Sequence, residues 1–584
     1  MSVLRISTFG GMVPRLGKRN LPETAAQTAR NAKLLSGELR AWNGLLTLSP
    51  VEHAEPATVF HFEFLGGDYF ISFDEKTYVV QSPLLNDTLQ RLYWSNSTGV
   101  WQNTKQRIID GDPAYKVGVP TPDISPVALI PSGGTVEFAE TRVYVLTFVS
   151  GFGEEGPPSG PKTVTVNTDG TLTITGLNTV PAPPVGYDNI TKLRLYRTIT
   201  TTSGVDYRFV AEWNVGSAPA SYVDAVSNDT LSTNPLLESY SWEPPPEGLT
   251  GLTVVGGYLV GFVGRRVYAS VPYRPWAWPT EYQTAVEDEI VTLGAYATTV
   301  VVATNGNPYV IVGATPDAVS LNKIKAVLPC LSENSLVSTV QSVLYASENG
   351  VVSVSDAGVN IVSAPYVTRD EWLRDYSPTT IKAAVFQDRY LAYYSATEGF
   401  MLGFDDVSTA FTDISGDAVS SVDTSSLTGQ AMIGSQGSVY AFDDDRYARY
   451  TYTWRSKPFM SPKPQNFGIL QVRGDFTLDL RQTNTVLVGN SSLYGGALVG
   501  AIPYAAEGGD VAVGEEVIVP VAQTVGVKIY ADGVLRWTGA VASEAPVRLP
   551  SGFKGVHWEV EISGSAPVYS VTLASTGKAL EQTP

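Results

Sequence analysis

Val343-Leu-Tyr-Ala-Ser-Glu-Asn-Gly-Val-Val-Ser-Val-Ser-Asp356 reads as two short strands hinged on Asn349-Gly350. Its β-branched and aromatic residues suit a pleated surface, and Asn-Gly supplies the positive dihedrals of a tight hairpin turn. The phrase returns over residues 300–312 about Asn305-Gly306-Asn307, and over 431–442 about Gly437. A further hairpin is expected where Ala57 to Phe64 meets Tyr69 to Asp74 across Gly66-Gly67-Asp68. Recurrence at roughly 40–50 residues is what degenerate propeller blades produce, but so loose a period leaves a propeller and a chain of sandwiches equally open. The chain reads as mainly β.

Helical signal is confined to two places. Pro22-Glu-Thr-Ala-Ala-Gln-Thr-Ala-Arg-Asn-Ala-Lys-Leu-Leu35 predicts a helix, with Pro near its start and Gly37 just past its end. A shorter helix is expected after Thr368, through Asp370, Glu371 and Trp372. Pro-rich stretches near 118–131 and at Pro244-Pro245-Pro246 divide the chain. We read residues 1–117 as an N-terminal segment with the first propeller strands, and 118–246 as one inserted β-sandwich. Residues 247–464 read as the body of recurring strands. Residues 465–584 read as a last sandwich whose final strand could return to that body.

Composition narrows the chemistry. The 584 residues carry 57 acidic against 39 basic side chains, a formal charge of −18, with one Cys and three His. Lone Cys330 cannot form an internal disulfide or a thiolate metal site, and His53, His61 and His557 are scattered. An acidic chain is a poor candidate for gripping phosphates, which takes clustered Lys and Arg. No apolar run approaches the length of a membrane span, and no secretory leader is expected at the N-terminus. Charged residues are only 16 % while 43 % are hydrophobic, the balance of a folded chain that buries surface in subunit contacts.

Individual motifs favour structural readings. Asp443-Asp444-Asp445 lacks the alternating ligands of a calcium loop and reads as a polar turn. Glu154 and Glu155 are adjacent, so in extended chain they face apart, whereas glycosidase carboxyls must face one bond. Gly495 to Gly500 lacks the strand–turn–helix context of a dinucleotide loop. Cys330 reads as a small buried hydrophobe, and His61 as a strand residue without a second His nearby. Trp276 and Trp278 read as a packed loop before they read as a sugar platform. Arg265-Arg266 is too short for nucleic acid and suits subunit salt bridges. We expect no catalytic, cofactor-binding or metal-ligating residues.

Several phrases resemble the tail tubular protein B, or nozzle, family of short-tailed bacteriophages. Phe9-Gly-Gly-Met-Val-Pro-Arg-Leu16, Leu21-Pro-Glu-Thr-Ala-Ala26 and Ala29-Arg-Asn-Ala-Lys-Leu-Leu-Ser-Gly-Glu-Leu39 resemble its N-terminal signature. Tyr144-Val-Leu-Thr-Phe-Val-Ser-Gly-Phe-Gly-Glu-Glu-Gly-Pro-Pro-Ser159 resembles its fibronectin-III-like insertion, continued in Leu195-Tyr-Arg-Thr198 and Phe209-Val-Ala-Glu212. Trp276-Ala-Trp-Pro-Thr-Glu-Tyr282, Pro308-Tyr-Val-Ile-Val-Gly-Ala-Thr-Pro-Asp317 and Cys330-Leu-Ser332 resemble its propeller segment. Asp532-Gly533, Arg548-Leu-Pro-Ser-Gly552 and Val571-Thr-Leu-Ala574 resemble its tail end.

The resemblance implies a β-propeller built from discontinuous segments, with an inserted fibronectin-III-like sandwich and a C-terminal sandwich. It implies a virion protein made in the bacterial cytoplasm: a homo-hexameric ring continuing the DNA channel below a tail tubular protein A-like adaptor ring and contacting tail fibres. DNA would pass without tight binding, which an acidic lining favours by repelling phosphates. The candidate lining residues are Glu287, Asp288, Glu289, Asp405, Asp406, Asp443, Asp444 and Asp445, weighed against ordinary solvated loop charges. Phe9, Gly10, Gly11, Pro14 and Arg15 are candidates for adaptor contact or for anchoring the chain start. The competing reading is a carbohydrate-binding or carbohydrate-degrading propeller acting at a host surface, and a third is an adhesin with fibronectin-like modules.

Overall fold

A computed structural model describes residues 2–34, 36–134, 139–167, 170–201, 204–313, 315–404, 410–446, 448–487 and 512–581. Strands dominate, and among the described residues six small antiparallel sheets and four antiparallel strands of a larger one follow one another around a closed cycle. Blade 1 is the hairpin Thr58–Phe64 and Gly67–Phe73. Blade 2 begins at Tyr78–Gln81, blade 3 at Thr250–Val255, blade 4 at Ile290–Tyr296, blade 5 at Val337–Ser338 and blade 6 at Lys382–Phe386, each a four-strand meander. Blade 7 contributes Ser421–Thr424, Ala431–Ser435 and Ser438–Ala441, and its fourth strand is Leu46–Pro50 from the start of the chain.

Seven apolar interfaces hold the cycle together, one between each pair of neighbours. Phe62 and Trp94 join blades 1 and 2, Tyr93 and Leu252 blades 2 and 3, Val260 and Val302 blades 3 and 4. Val301 and Tyr345 join blades 4 and 5, Leu344 and Tyr390 blades 5 and 6, Leu391 and Ile433 blades 6 and 7. Val59 against Met432 and Val439 returns the last blade to the first. The arrangement is a seven-bladed β-propeller. It also explains the sequence pattern. A strand packed on both faces loses the in–out alternation of a half-buried strand, so Thr299–Thr304 and Ser342–Ser347 are buried at every position. The turn at Gly350 has φ 128°, and a Cβ there would lie 2.1 Å from Ser363 Oγ, so neither the backbone nor the neighbouring side chain tolerates a substituent.

Between blades 2 and 3 the chain leaves the ring to build a two-sheet sandwich. Ala128–Ser132, Thr171–Thr175 and Ser221–Asp224 form one sheet; Lys162–Asn167, Ala139–Ser150, Ile190–Thr201 and Gly204–Asn214 form the other. Leu146, Ile174 and Leu195 lie in the core between them.

A second sandwich unites the two ends of the chain. Val3–Ile6 pairs with Val568–Ala574, which also pairs with Ile469–Gly474. The last strand therefore stays in this sandwich and does not return to the propeller. The facing sheet runs from Val534–Val541 through Val525–Ala531, Gly555–Gly564 and Tyr452–Ser456 to Ala26–Arg30. Ala26–Arg30 then joins the outer strand of blade 6, Phe411–Ser415, so propeller and sandwich share one sheet. Thr477–Leu487 and Ala512–Ala522 pair as a long hairpin. The glycine-rich stretch from Gly495 to Gly500 falls outside the described residues.

The helix expected from Pro22 to Leu35 is not formed. Ala26–Arg30 and Ala32–Lys33 are strands, with Asn31 at φ 52° between them. Ala26, Ala29 and Ala32 are buried because their small side chains let the strand slip between two others, and cross-strand hydrogen bonds override alanine's helical preference. The helix after Thr368 is present as Arg369–Asp375. Thr368 and Glu371 form a capping box, and buried Trp372 donates from Nε1 to the Ser347 carbonyl at 2.8 Å.

Asp413 sits where blade 6 meets Ala26–Arg30. Burial pushes its carboxyl up to about 6, with Arg30 opposing the rise and Glu398 adding to it. An acid whose folded pKa is raised holds its proton more tightly in the fold. Its contribution is therefore fully present below the unfolded value of 3.8 and is lost as pH rises through about 6. Urea unfolding should show stability falling across that window in the wild type. Asp413→Asn should flatten the slope and raise stability at pH 7 by about 1–3 kcal/mol.

Candidate functional site

The propeller presents two rims of different chemistry. On one rim, hairpin tips carry polar residues: Arg265, Asn305, Asn307, Glu348 and Gln436. Hydrogen bonds and ion pairs tie these tips to the connections between blades, as in Asn305 N to the Glu289 carbonyl at 2.9 Å and Arg369 to Glu348 at 2.8 Å. On the other rim some tips expose apolar side chains, Leu65 86 %, Leu85 86 % and Val340 88 %, while others carry polar residues such as Gln341 and Asp388.

The acidic triplet lies on the polar rim. Glu289 pairs with Arg265 at 2.6 Å and Glu287 with Lys323. Asp288 accepts the Asn307 N–H at 3.2 Å. Glu287 and Glu289 stay exposed, but each faces its own cation, which weakens the field they project. Asp405 and Asp406 fall outside the described residues. Asp443 is removed from a channel surface by burial. Its side chain is 2 % exposed, pairs with Lys33 at 2.5 Å and accepts Asn43 N and Nδ2 at 2.9 Å. Asp444 is held below the usual carboxylate range by a hydrogen bond from Arg446, and Asp445 is exposed.

The axial space of the propeller is crossed by side chains. The Tyr78 hydroxyl, from blade 2, meets Thr292 Oγ1 of blade 4 and Glu333 Oε2 ahead of blade 5, each at 3.1 Å. Burial and the Glu333 charge push this phenol well up, so it stays a neutral donor.

Phe9, Gly10 and Gly11 are committed inside the chain. Phe9 is 1 % exposed and meets Trp454 edge-on at 4.9 Å, while Trp454 Nε1 donates to the Gly10 carbonyl at 3.0 Å. A Cβ on Gly11 would lie 2.7 Å from the Phe411 nitrogen. Pro14 is half-buried, and Arg15 turns outward after its N–H bonds the Tyr366 carbonyl at 2.9 Å. These contacts fasten Phe9, Gly10 and Gly11 to the strands around them.

The remaining motifs resolve into packing. Cys330 is 4 % exposed and burial pushes its thiol up to about 12, which makes it a poor nucleophile. His61 stacks on Phe70 and bridges Ser425 Oγ at 2.8 Å and Asp68 at 3.0 Å. The string mimics a triad, but Ser425 is buried and its oxygen accepts the Leu427 and Thr428 N–H groups. Trp278 is buried, and half-buried Trp276 donates from Nε1 to the Glu155 carbonyl at 3.2 Å and meets Trp242 edge-on at 6.2 Å. Among the described residues, no cluster of His, Cys, Asp and Glu could hold a metal ion.

The informative polar site is one that sequence reasoning reduced to a loop. Glu154 and Glu155 do face apart, each into a built network. Glu155 meets Arg194 and Tyr196 at 2.8 Å on the sandwich sheet. Glu154, 2 % exposed, reaches across to Arg91 of blade 2 at 2.5 Å, and Arg91 also holds Asp87 at 3.0 Å. Burial raises the Glu154 carboxyl, with Arg91 opposing the rise. With Trp276, this clamp fixes the sandwich against the ring. A second buried set, Arg197 with Asp224 at 2.6 Å and Tyr144 with Asp224 at 2.5 Å, locks the sandwich core.

No protein-family model and no curated protein matches the chain. Among solved structures, the WD40 domain of Neurospora crassa Pan2 is similar at 9 % identity and TM-score 0.25, covering 48 % of this chain and 87 % of that one. Sqt1 from Chaetomium thermophilum is similar at 13 % identity and TM-score 0.26, covering 48 % and 68 %. The N-terminal domain of Nup159 is similar at 8 % identity and TM-score 0.22, covering 42 % and 86 %. At such scores the propeller description rests on the sheet arrangement itself.

Breaking the clamp tests its worth. Arg91→Met leaves Glu154 buried without its cation and should cost about 3–5 kcal/mol in urea unfolding. Arg91→Met with Glu154→Gln should recover part of that loss, because only Asp87 is then left as a carboxylate without its cation.

Proposed function

We propose that the chain is a non-enzymatic structural subunit of a short-tailed phage tail, a nozzle ring that extends and closes the DNA exit channel below an adaptor and contacts tail fibres. The observation that carries the reading is the sequence order: phrases resembling that family run from Phe9 to Ala574 in consistent succession. The inserted sandwich, in this reading, is the fibronectin-III-like module of the family.

The geometry supplies a mechanism consistent with it. Polar side chains that could have served chemistry are engaged in holding the fold: Glu154, Glu155, Asp224 and Asp443 all face Arg or Lys partners. Tyr78 crosses the axial space of the propeller, so duplex DNA has no path through a single copy. A channel has to lie between copies arranged around a common axis. Each copy brings a charge of −18, and a lining of that sign repels phosphates and lets the duplex slide.

Electron microscopy of the purified chain with its adaptor should show rings with a central bore. A persistent monomer that cleaves capsule polysaccharide would overturn the reading. Within assembled particles, Glu287→Lys combined with Glu289→Lys should slow DNA ejection several-fold at low salt, and less at high salt, where charges are screened. Unchanged ejection would remove these two residues from the channel.

A further inference from the structure

On the rim that carries Leu65, Leu85 and Val340, blades 4, 5 and 6 enclose an open groove of about 1230 Å³. Val340 stands at its edge, 88 % exposed, with Tyr296 and Phe404 along its wall. Asp356 and Asp388 also line it, Asp356 accepting the Tyr296 hydroxyl at 3.0 Å, and among the described residues no Lys or Arg does. Ala297, at the tip beside Tyr296, holds φ 47°, a left-handed conformation that costs a residue with a Cβ about 1 kcal/mol. The groove thus sets Val340, Tyr296 and Phe404 among polar residues such as Thr339, Gln341 and Ser355, and its charge is negative.

The same chain carries the opposite chemistry elsewhere. Arg15-Leu16-Gly17-Lys18-Arg19 is an exposed loop with three cations, and Leu16 is 37 % exposed among them. Arg15 is fastened to the Ala364 and Tyr366 carbonyls, in the connection from blade 5 to blade 6. That connection lies at the polar rim. The groove lies at the other end of blade 5, separated from it by the length of Ser342–Ser347, roughly 20 Å for six extended residues. Loop and groove of one copy cannot meet.

We propose that the groove receives the Arg15–Arg19 loop of a second copy, with Leu16 against Val340 and the loop cations facing Asp356 and Asp388. Two chains of −18 repel overall, so contact between them is favoured where local signs are opposite. A contact joining different surfaces of identical chains is head-to-tail, and it closes into a ring when the rotation per copy permits. The inference rests on the reading of the chain as a ring subunit and names the surface that would join its copies.

Cysteine pairing gives the direct test. Native Cys330 is buried, so Leu16→Cys with Val340→Cys introduces the reactive thiols. Oxidation of the full chain should give a ladder of covalent multimers on non-reducing gels, absent from either single variant. Independently, light scattering should show association weakened at least tenfold by Asp356→Lys and by Arg19→Glu, with recovery when both are combined. Multimers that survive both single reversals and form no cross-link would overturn this contact and leave the ring reading standing. A chain that stays monomeric at every concentration, alone and with the adaptor, would overturn both.

Discussion

A blade packed on both faces cannot stand alone, and this constraint governs the whole molecule. Thr299–Thr304 and Ser342–Ser347 have no solvent-facing side, so each is stable only between two neighbours. The requirement passes around the ring until it returns to its start. Closure then depends on one strand from a distant part of the chain, Leu46–Pro50, completing blade 7 against Ser438–Ala441. That pairing joins the first 50 residues to the last blade and makes Leu46–Pro50 its outer edge strand.

The attached domains are held by the opposite physics. Between blades the glue is apolar and non-directional, whereas the inserted sandwich is oriented by a few directional groups. Arg91 and Glu154 set its angle against blade 2 through buried charge, and the Trp276 indole ties it to blade 3 by a hydrogen bond. Such groups contribute little net stability compared with apolar packing, but they penalise any other orientation heavily. The C-terminal sandwich needs no such clamp, because it shares a continuous sheet with blade 6 through Ala26–Arg30.

Much of this was legible from turns. Asn349-Gly350, Asn305-Gly306-Asn307 and Gly437 each mark a real hairpin, since local dihedral demands are written locally. The hairpin at Leu65-Gly66 was also visible, and so was the helix at Thr368, which is capped by its own residues. Illegible were features decided by partners far along the chain. The alanines of Ala26–Arg30 look helical until Tyr452–Ser456 and Phe411–Ser415 pair with that segment from either side and bury them. Asp443 looked like a turn charge because Lys33 and Asn43, which bury it, lie some 400 residues away. Glu154 looked like a loop residue for the same reason.

The pairing of Val3–Ile6 with Val568–Ala574 has a consequence in time. A ribosome adds about 5–20 residues per second, so the first strand waits on the order of a minute for its partner to be made. During that wait its backbone edge is unsatisfied, as is the edge of blade 7 that Leu46–Pro50 must find. This sandwich can therefore close only after Val568–Ala574 has been made.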